Sequence, residues 1–172
     1  MIKDLKSIKR EDSKALGFTA EPRIDPAKNL ENLYHWIVKL YFDGPLGTDL
    51  QASQKKFGID YVELEMRFSE HYPFTPPFVR VVRPRFQFRT GHVTIGGSIC
   101  MELLTNSGWR STNDIESILI QIRAEMQGGN ARLDLNAGQS YSEHEAWDAF
   151  NRAAGAHGWD IKSINPNMFP KV

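Results

Sequence analysis

The residue best equipped for covalent chemistry is Cys100, the single cysteine among 172 residues. A thiolate is both a good nucleophile and a good leaving group, so it can accept an acyl group and later release it. Cys100 sits in Gly96-Gly97-Ser98-Ile99-Cys100-Met101-Glu102-Leu103-Leu104. Glycines ahead of a cysteine let backbone and substrate approach closely. On local pattern alone a buried structural role competes, because free cysteine is among the most buried residue types. A single cysteine forms no disulfide within the chain and no cysteine-based zinc site. The histidines stand at 35, 71, 92, 144 and 157. None pairs at i, i+4 around a carboxylate, so the sequence offers no metal motif, and no organic cofactor is implied. Any of the five could complete a Cys–His hydrolase if the fold brought it to Cys100.

Two further features frame the cysteine. Tyr72-Pro73-Phe74-Thr75-Pro76-Pro77 is stiff, because each proline fixes φ and removes a donor. Phe74 in so rigid a loop is either an exposed anchor or a buried packing residue. Trp109 follows Gly108, nine residues after Cys100. It reads as a lid, a packing wedge or a partner contact, with core packing the default for tryptophan.

Elements must hold these residues in place. Ile2, Leu5, Ile8 and Leu16 recur at helical spacing, with Lys3, Lys6, Lys9, Arg10 and Lys14 on the remaining surface. That is an amphipathic helix with a basic outer side. Pro22 and Pro26 read as breaks. Residues 33–42 are aromatic and β-branched and read as a strand, and Asp43-Gly44-Pro45 with Gly47 as a turn. Residues 59–68 alternate, with Val62, Leu64, Met66 and Phe68 on one face and Glu63, Glu65 and Arg67 on the other, a half-buried antiparallel strand. Residues 78–82 form another short strand. From Pro84 to Ser111 the pattern loosens, and long irregular segments in small domains usually carry function. Asn113 and Glu116 have capping-box spacing ahead of the stripe Ile115, Ile118, Leu119, Ile122 and Met126, which ends at Gly128-Gly129. Ser142 and Glu145 repeat the box before a helix that stops near Gly158. A helix, strands, an irregular segment and helices make an α+β chain.

Composition narrows the function class. The mass is 19.6 kDa, and residues 1–172 read as one domain. Hydrophobic residues are 41% and charged residues 24%, both in the globular range. Lys plus Arg equals Asp plus Glu at 21 each, so the basic excess of a nucleic-acid or acidic-membrane binder is absent. No stretch nears 18 apolar residues and the first residues lack an apolar secretory core. The expectation is a cytoplasmic or nuclear protein with neither nucleic acid nor membrane as partner.

In order, the chain carries a basic first helix, Tyr34-His35-Trp36, Gly44-Pro45 with Gly47-Thr48, Tyr72-Pro73-Phe74-Thr75-Pro76-Pro77, Gly97-Ser98-Ile99-Cys100 and Gly108-Trp109. From about residue 2 to 127 this resembles the ubiquitin-conjugating enzymes. The tract from Gly96 to Thr105, with the later tryptophan, looks most like their Q-type branch. The resemblance implies the conjugating-enzyme fold: a four-stranded antiparallel meander with an N-terminal helix and C-terminal helices. It implies that Cys100 accepts ubiquitin, or a ubiquitin-like protein, as a thioester from an activating enzyme. A ligase or substrate nucleophile then takes it. A catalytically inactive ubiquitin-binding scaffold of the same fold is the alternative.

The resemblance also assigns roles. The family's His-Pro-Asn is missing. Thr90-Gly91-His92 stands in its place, with His92 eight residues before Cys100. An imidazole can donate to an oxyanion and can also titrate near neutrality, so His92 is either a donor and base or a brace for the loop. The Ser-Pro-Ala after the family tryptophan is here Arg110-Ser111-Thr112, which alters the ligase-facing surface formed with Phe74. Asp134 is a candidate to receive the attacking lysine, or else a solvated loop carboxylate. Lys6 and Lys9 are implied contacts for the activating enzyme and ligase, with Phe74, Trp109 and Arg110 as ligase contacts.

Overall fold

The computed structural model describes residues 1–10, 15–138 and 140–169. The chain runs α1 (Ile2–Arg10), β1 (Phe18–Asp25), β2 (Leu30–Leu40), α2 (Gly44–Phe57), β3 (Val62–Arg67), β4 (Phe78–Arg83), α3 (Ile115–Gly128) and α4 (Glu143–His157). Single 3-10 turns lie at Glu102–Leu104 and Pro166–Met168. The strands form an antiparallel meander in the order β1-β2-β3-β4. The α+β reading and the four-stranded meander therefore hold.

The alternation in the sequence sets the register. Trp36 lies opposite Met66, Val38 opposite Leu64 and Leu40 opposite Val62, while Leu64 faces Val81 and Met66 faces Val79 across the next pair. A one-residue slip would turn this apolar row to the other face, so the pairing is strongly specified. The α3 stripe of Ile115, Ile118, Leu119, Ile122 and Met126 joins the same buried cluster, as do Leu5 and Ile8 of α1. Burying each such side chain contributes about 1.5–3 kcal/mol.

Several expectations need correction. The first helix ends at Arg10, and Leu16 lies in a turn before β1. Lys14 and the side chain of Arg10 lie outside the described residues. Pro22 does not break the chain. It sits inside β1, an edge strand, where a missing N–H is tolerated, and a register shift follows it. The Gly44–Gly47 region is no mere turn. Pro45 occupies the first turn of α2, where its fixed φ suits a helix, and Gly58 closes the helix in the left-handed region at φ 75°. Leu46 and Leu50 bury the inner side of α2, and Lys55 and Lys56 face the negative end of its dipole. At α3 the cap is Asp114, whose carboxylate accepts from the N–H of Ser117 at 2.9 Å, rather than Asn113. The Ser142–Glu145 capping box forms as expected.

The second face of the sheet is also partly covered. Glu65 is only 5% exposed. It accepts hydrogen bonds from Arg80 and His35, and Arg80 also donates to the carbonyl of Tyr141. Trp147 of α4 stacks on Phe78 of β4 at 3.8 Å, within a second cluster that includes Phe150, Ile164 and Phe169. This packing anchors the first turns of α4 on Phe78 at the start of β4. Among the described residues no helix is long and apolar enough to cross a membrane.

Candidate active site

Cys100 is placed by a small hairpin. Val93 bridges Ile99, the N–H of Thr94 donates to Ser98, and the N–H of Gly97 donates back to Thr94. The Cys100 N–H closes the hairpin on the carbonyl of His92 at 2.8 Å. The hairpin is fastened to β4 through bonds from Val81 to Gly97 and from Ile99 to Val79. Gly97 has φ 93°, and a Cβ there would meet the Tyr141 ring at 2.5 Å. A Cβ on Gly96 would collide with the Glu145 carbonyl of α4. The glycines ahead of the cysteine thus make room for the start of α4, which sequence reasoning had reserved for substrate.

The thiol is half-buried and lines an open cavity of about 390 Å³, shared with His92, Glu102, Gln121, Glu125, His157 and Trp159. Burial pushes the Cys100 thiol above its ordinary value. Nε2 of His157 lies 3.8 Å from Sγ. His157 occupies the last turn of α4, which Gly158 ends at φ 67°. The chain reverses at once, and Trp159 stacks on His157 with centroids 4.4 Å apart. The tail is pinned to the loop after Cys100. The Asn106 N–H donates to the Asp160 carbonyl, the Asp160 N–H to Ser107 Oγ, and the Ser163 hydroxyl to Asn106. Sequence reasoning named His157 only as one of five histidines. The capped end of α4 was its one local signal, and nothing local pointed from there to the cysteine.

His92 reaches the same cavity from the other arm of the hairpin. It adopts φ 56°, in the left-handed region that histidine enters more readily than most residues with a side chain. Its Nε2 lies 3.4 Å from Oε2 of Glu125 on α3. A side chain at Gly129 would meet His92 Cδ2 at 2.8 Å, so glycine there leaves space for the ring.

The remaining candidates separate. Asp134 does not line the cavity. Its carboxylate accepts from the N–H groups of Asn136 and Ala137 and closes a turn. Trp109 is 6% exposed and acts as a brace. Its indole N–H donates to the Pro73 carbonyl at 2.7 Å and its ring packs near Tyr72. That brace presents Phe74, which is 80% exposed. Arg110 is exposed beside it and donates to the Trp109 carbonyl. Lys6 and Lys9 are exposed on α1, with Lys9 at 3.8 Å from Glu31. Among the described residues no group of three or more His, Cys, Asp or Glu is arranged to hold a metal ion.

The fold alone defines a class. It matches the human ubiquitin-conjugating enzyme E2 G1 with a TM-score of 0.52 and 18% identity, over 73% of this chain and 89% of that one. A ubiquitin-conjugating enzyme of Plasmodium vivax matches with the same score at 20% identity, over 72% and 95%. The family model described as ubiquitin-conjugating enzyme spans residues 1–155, and the chain belongs to that family, in its Q branch. It is 39% identical to ubiquitin-conjugating enzyme E2 Q1 of Homo sapiens over 166 residues, 92% of this chain and 38% of that protein. It is 37% identical to the ubiquitin-conjugating enzyme E2 Q-like protein 1 of Mus musculus over 138 residues, 75% of this chain and 82% of that one. The chain thus spans about two fifths of the length of the E2 Q1 proteins.

Proposed function

We propose that the protein is an acyltransferase that carries ubiquitin on Cys100 as a thioester. The observation that carries this reading is the half-buried thiol on an open cavity, 3.8 Å from the imidazole of His157. A thiol raised by burial needs help to ionise. With its hydrogen on Nδ1, His157 offers Nε2 to take the thiol proton. The thiolate attacks the thioester carbonyl carbon of ubiquitin on the activating enzyme. A new C–S bond forms on Cys100, the old one breaks, and the departing sulfur leaves with the electron pair. In transfer, an acceptor nucleophile displaces Cys100, which leaves as thiolate and recovers its proton.

Exposed Phe74 and Arg110 supply a surface for a ligase, and Lys6 and Lys9 a basic face for the activating enzyme. Charge across such transient contacts mainly sets encounter rate and specificity. His157 beside Cys100 also meets the distance a cysteine hydrolase requires, but the family to which the chain belongs favours acyl transfer.

The test is a charging reaction with ATP, ubiquitin and an activating enzyme, run on a non-reducing gel. A band heavier by one ubiquitin, lost with reductant and absent in Cys100→Ala, is the expected result. No band, while a control conjugating enzyme charges, would favour the scaffold reading.

A further inference from the structure

The cavity presents two imidazoles in different surroundings. His157 lies against sulfur and an indole, whereas His92 lies against a carboxylate. The remaining titratable groups on the cavity are Cys100 and Glu102. Gln121 and Glu125 stand one turn apart on α3, so the helix offers both to the cavity from one face.

The hydrogen bond made by one ring nitrogen of histidine decides which nitrogen carries the hydrogen. A carboxylate at Nε2 favours the Nε2–H form and leaves Nδ1 bare. The Cδ2 edge of the ring is turned to Gly129, so the Nδ1 edge points away from the end of α3. A neutral His92 held this way is an acceptor at Nδ1, and it does not offer the hydrogen-bond donor that an asparagine would supply. The 3.4 Å separation and the partial exposure of both partners, 46% and 41%, leave the pair free to tighten when an acceptor enters.

We propose that His92 is the base for the incoming acceptor and that Glu125 is its positioning residue. This rests on the acyl-transfer reading of Cys100. The acceptor's proton passes to Nδ1 of His92 and its lone pair forms the new bond to the thioester carbonyl carbon. The C–S bond breaks, the electron pair leaves on Sγ, and Sγ takes up the second proton that an amine nitrogen sheds, relayed by His157. The base serves the second step, so it acts after charging is complete.

The experiment charges the protein with ubiquitin, stops charging, and measures loss of thioester in two chases. Free lysine arrives as an ammonium and needs a base. Hydroxylamine is already an unprotonated nucleophile near neutral pH and does not. His92→Ala slows the lysine chase about 100-fold, at the lower end of what a positioned base supplies, and Glu125→Ala about tenfold, as the loss of an orienting partner does. The hydroxylamine chase stays within about twofold of the unmutated protein in both. Glu125→Gln keeps an acceptor oxygen at Nε2, holds the same tautomer and restores much of the lysine rate, which separates hydrogen-bond orientation from bulk. A normal lysine chase in Glu125→Ala overturns the proposal. Equal slowing of both chases overturns it too, since that marks a merely deformed site. Failure of the unmutated protein to charge at all counts against the acyl-transfer reading itself.

Discussion

Removing the His157 imidazole should make Cys100 a poorer nucleophile before any ubiquitin is present. Sγ and Nε2 are 3.8 Å apart. Unit charges at that distance attract by about 1 kcal/mol when water screens them fully and by about 4 kcal/mol in the weaker screening of a protein surface. His157 is exposed and the cavity is open, so the lower figure governs. About 1 kcal/mol corresponds to roughly a fivefold change in thiolate population. The thiolate is the species that reacts with iodoacetamide. Alkylation of the uncharged protein, followed by mass spectrometry from mildly acidic to alkaline pH, therefore reads the effect directly. Burial holds the thiol above its ordinary value, so the rate climbs on the alkaline side. His157→Ala should lower the rate near neutral pH by up to about fivefold. His144→Ala is the control, because that histidine pairs with Asp148 on the exposed side of α4. Superimposable pH profiles for His157→Ala and the unmutated protein would refute the reasoning.

Other outcomes follow from the packing. Trp109→Phe keeps the ring but leaves the Pro73 carbonyl without its donor; thermal melts should show a loss of about 1–3 kcal/mol. Burial alone would raise the Glu65 carboxyl, but hydrogen bonding from His35 and the charge of Arg80 overcome it and bring the group from 4.5 to about 2. Its folded value is depressed, so its stabilisation is present above about pH 4.5 and is lost as pH falls toward 2. Denaturant titrations at stepped pH should find Glu65→Gln less sensitive to acid than the unmutated protein. Asp49 accepts two bonds from Arg132, at 2.7 and 2.9 Å, and one from the Leu133 N–H. Asp49→Ala should cost about 1.5–3 kcal/mol in chemical unfolding and increase hydrogen exchange around residues 130–135.

Much of the frame was legible because it repeats at short range. The alternation of residues 62–68 and the stripe of α3 each specify an element and its inner face without help from distant chain. The Ser142–Glu145 box is equally local. The errors lie where tertiary context overrides local signals. Pro22 is tolerated because β1 is an edge strand, and edge position belongs to the sheet and not to the residue. Gly44, Pro45 and Gly47 carry turn chemistry, yet buried Leu46 and Leu50 draw that stretch into α2. Glu65 looked solvent-facing by alternation and is buried with His35 and Arg80, the latter tied to the Tyr141 carbonyl ahead of α4.

The same division runs through the site. The sequence by itself determined that Cys100 follows a glycine pair in a long irregular segment, that His92 stands eight residues before it, and that a rigid proline loop carries Phe74. These facts depend on residue type and short spacing. Only the tertiary structure decided that His157 meets the sulfur, that Glu125 meets His92, that Trp109 braces the Phe74 loop, and that Asp134 closes a turn. His157 and Cys100 are 57 positions apart. Their meeting depends on Trp147 stacking on Phe78, on where Gly158 ends α4, and on how the tail ties to Asn106 and Ser107. No periodicity encodes a contact of that kind, because it is the sum of packing choices made across the whole sheet.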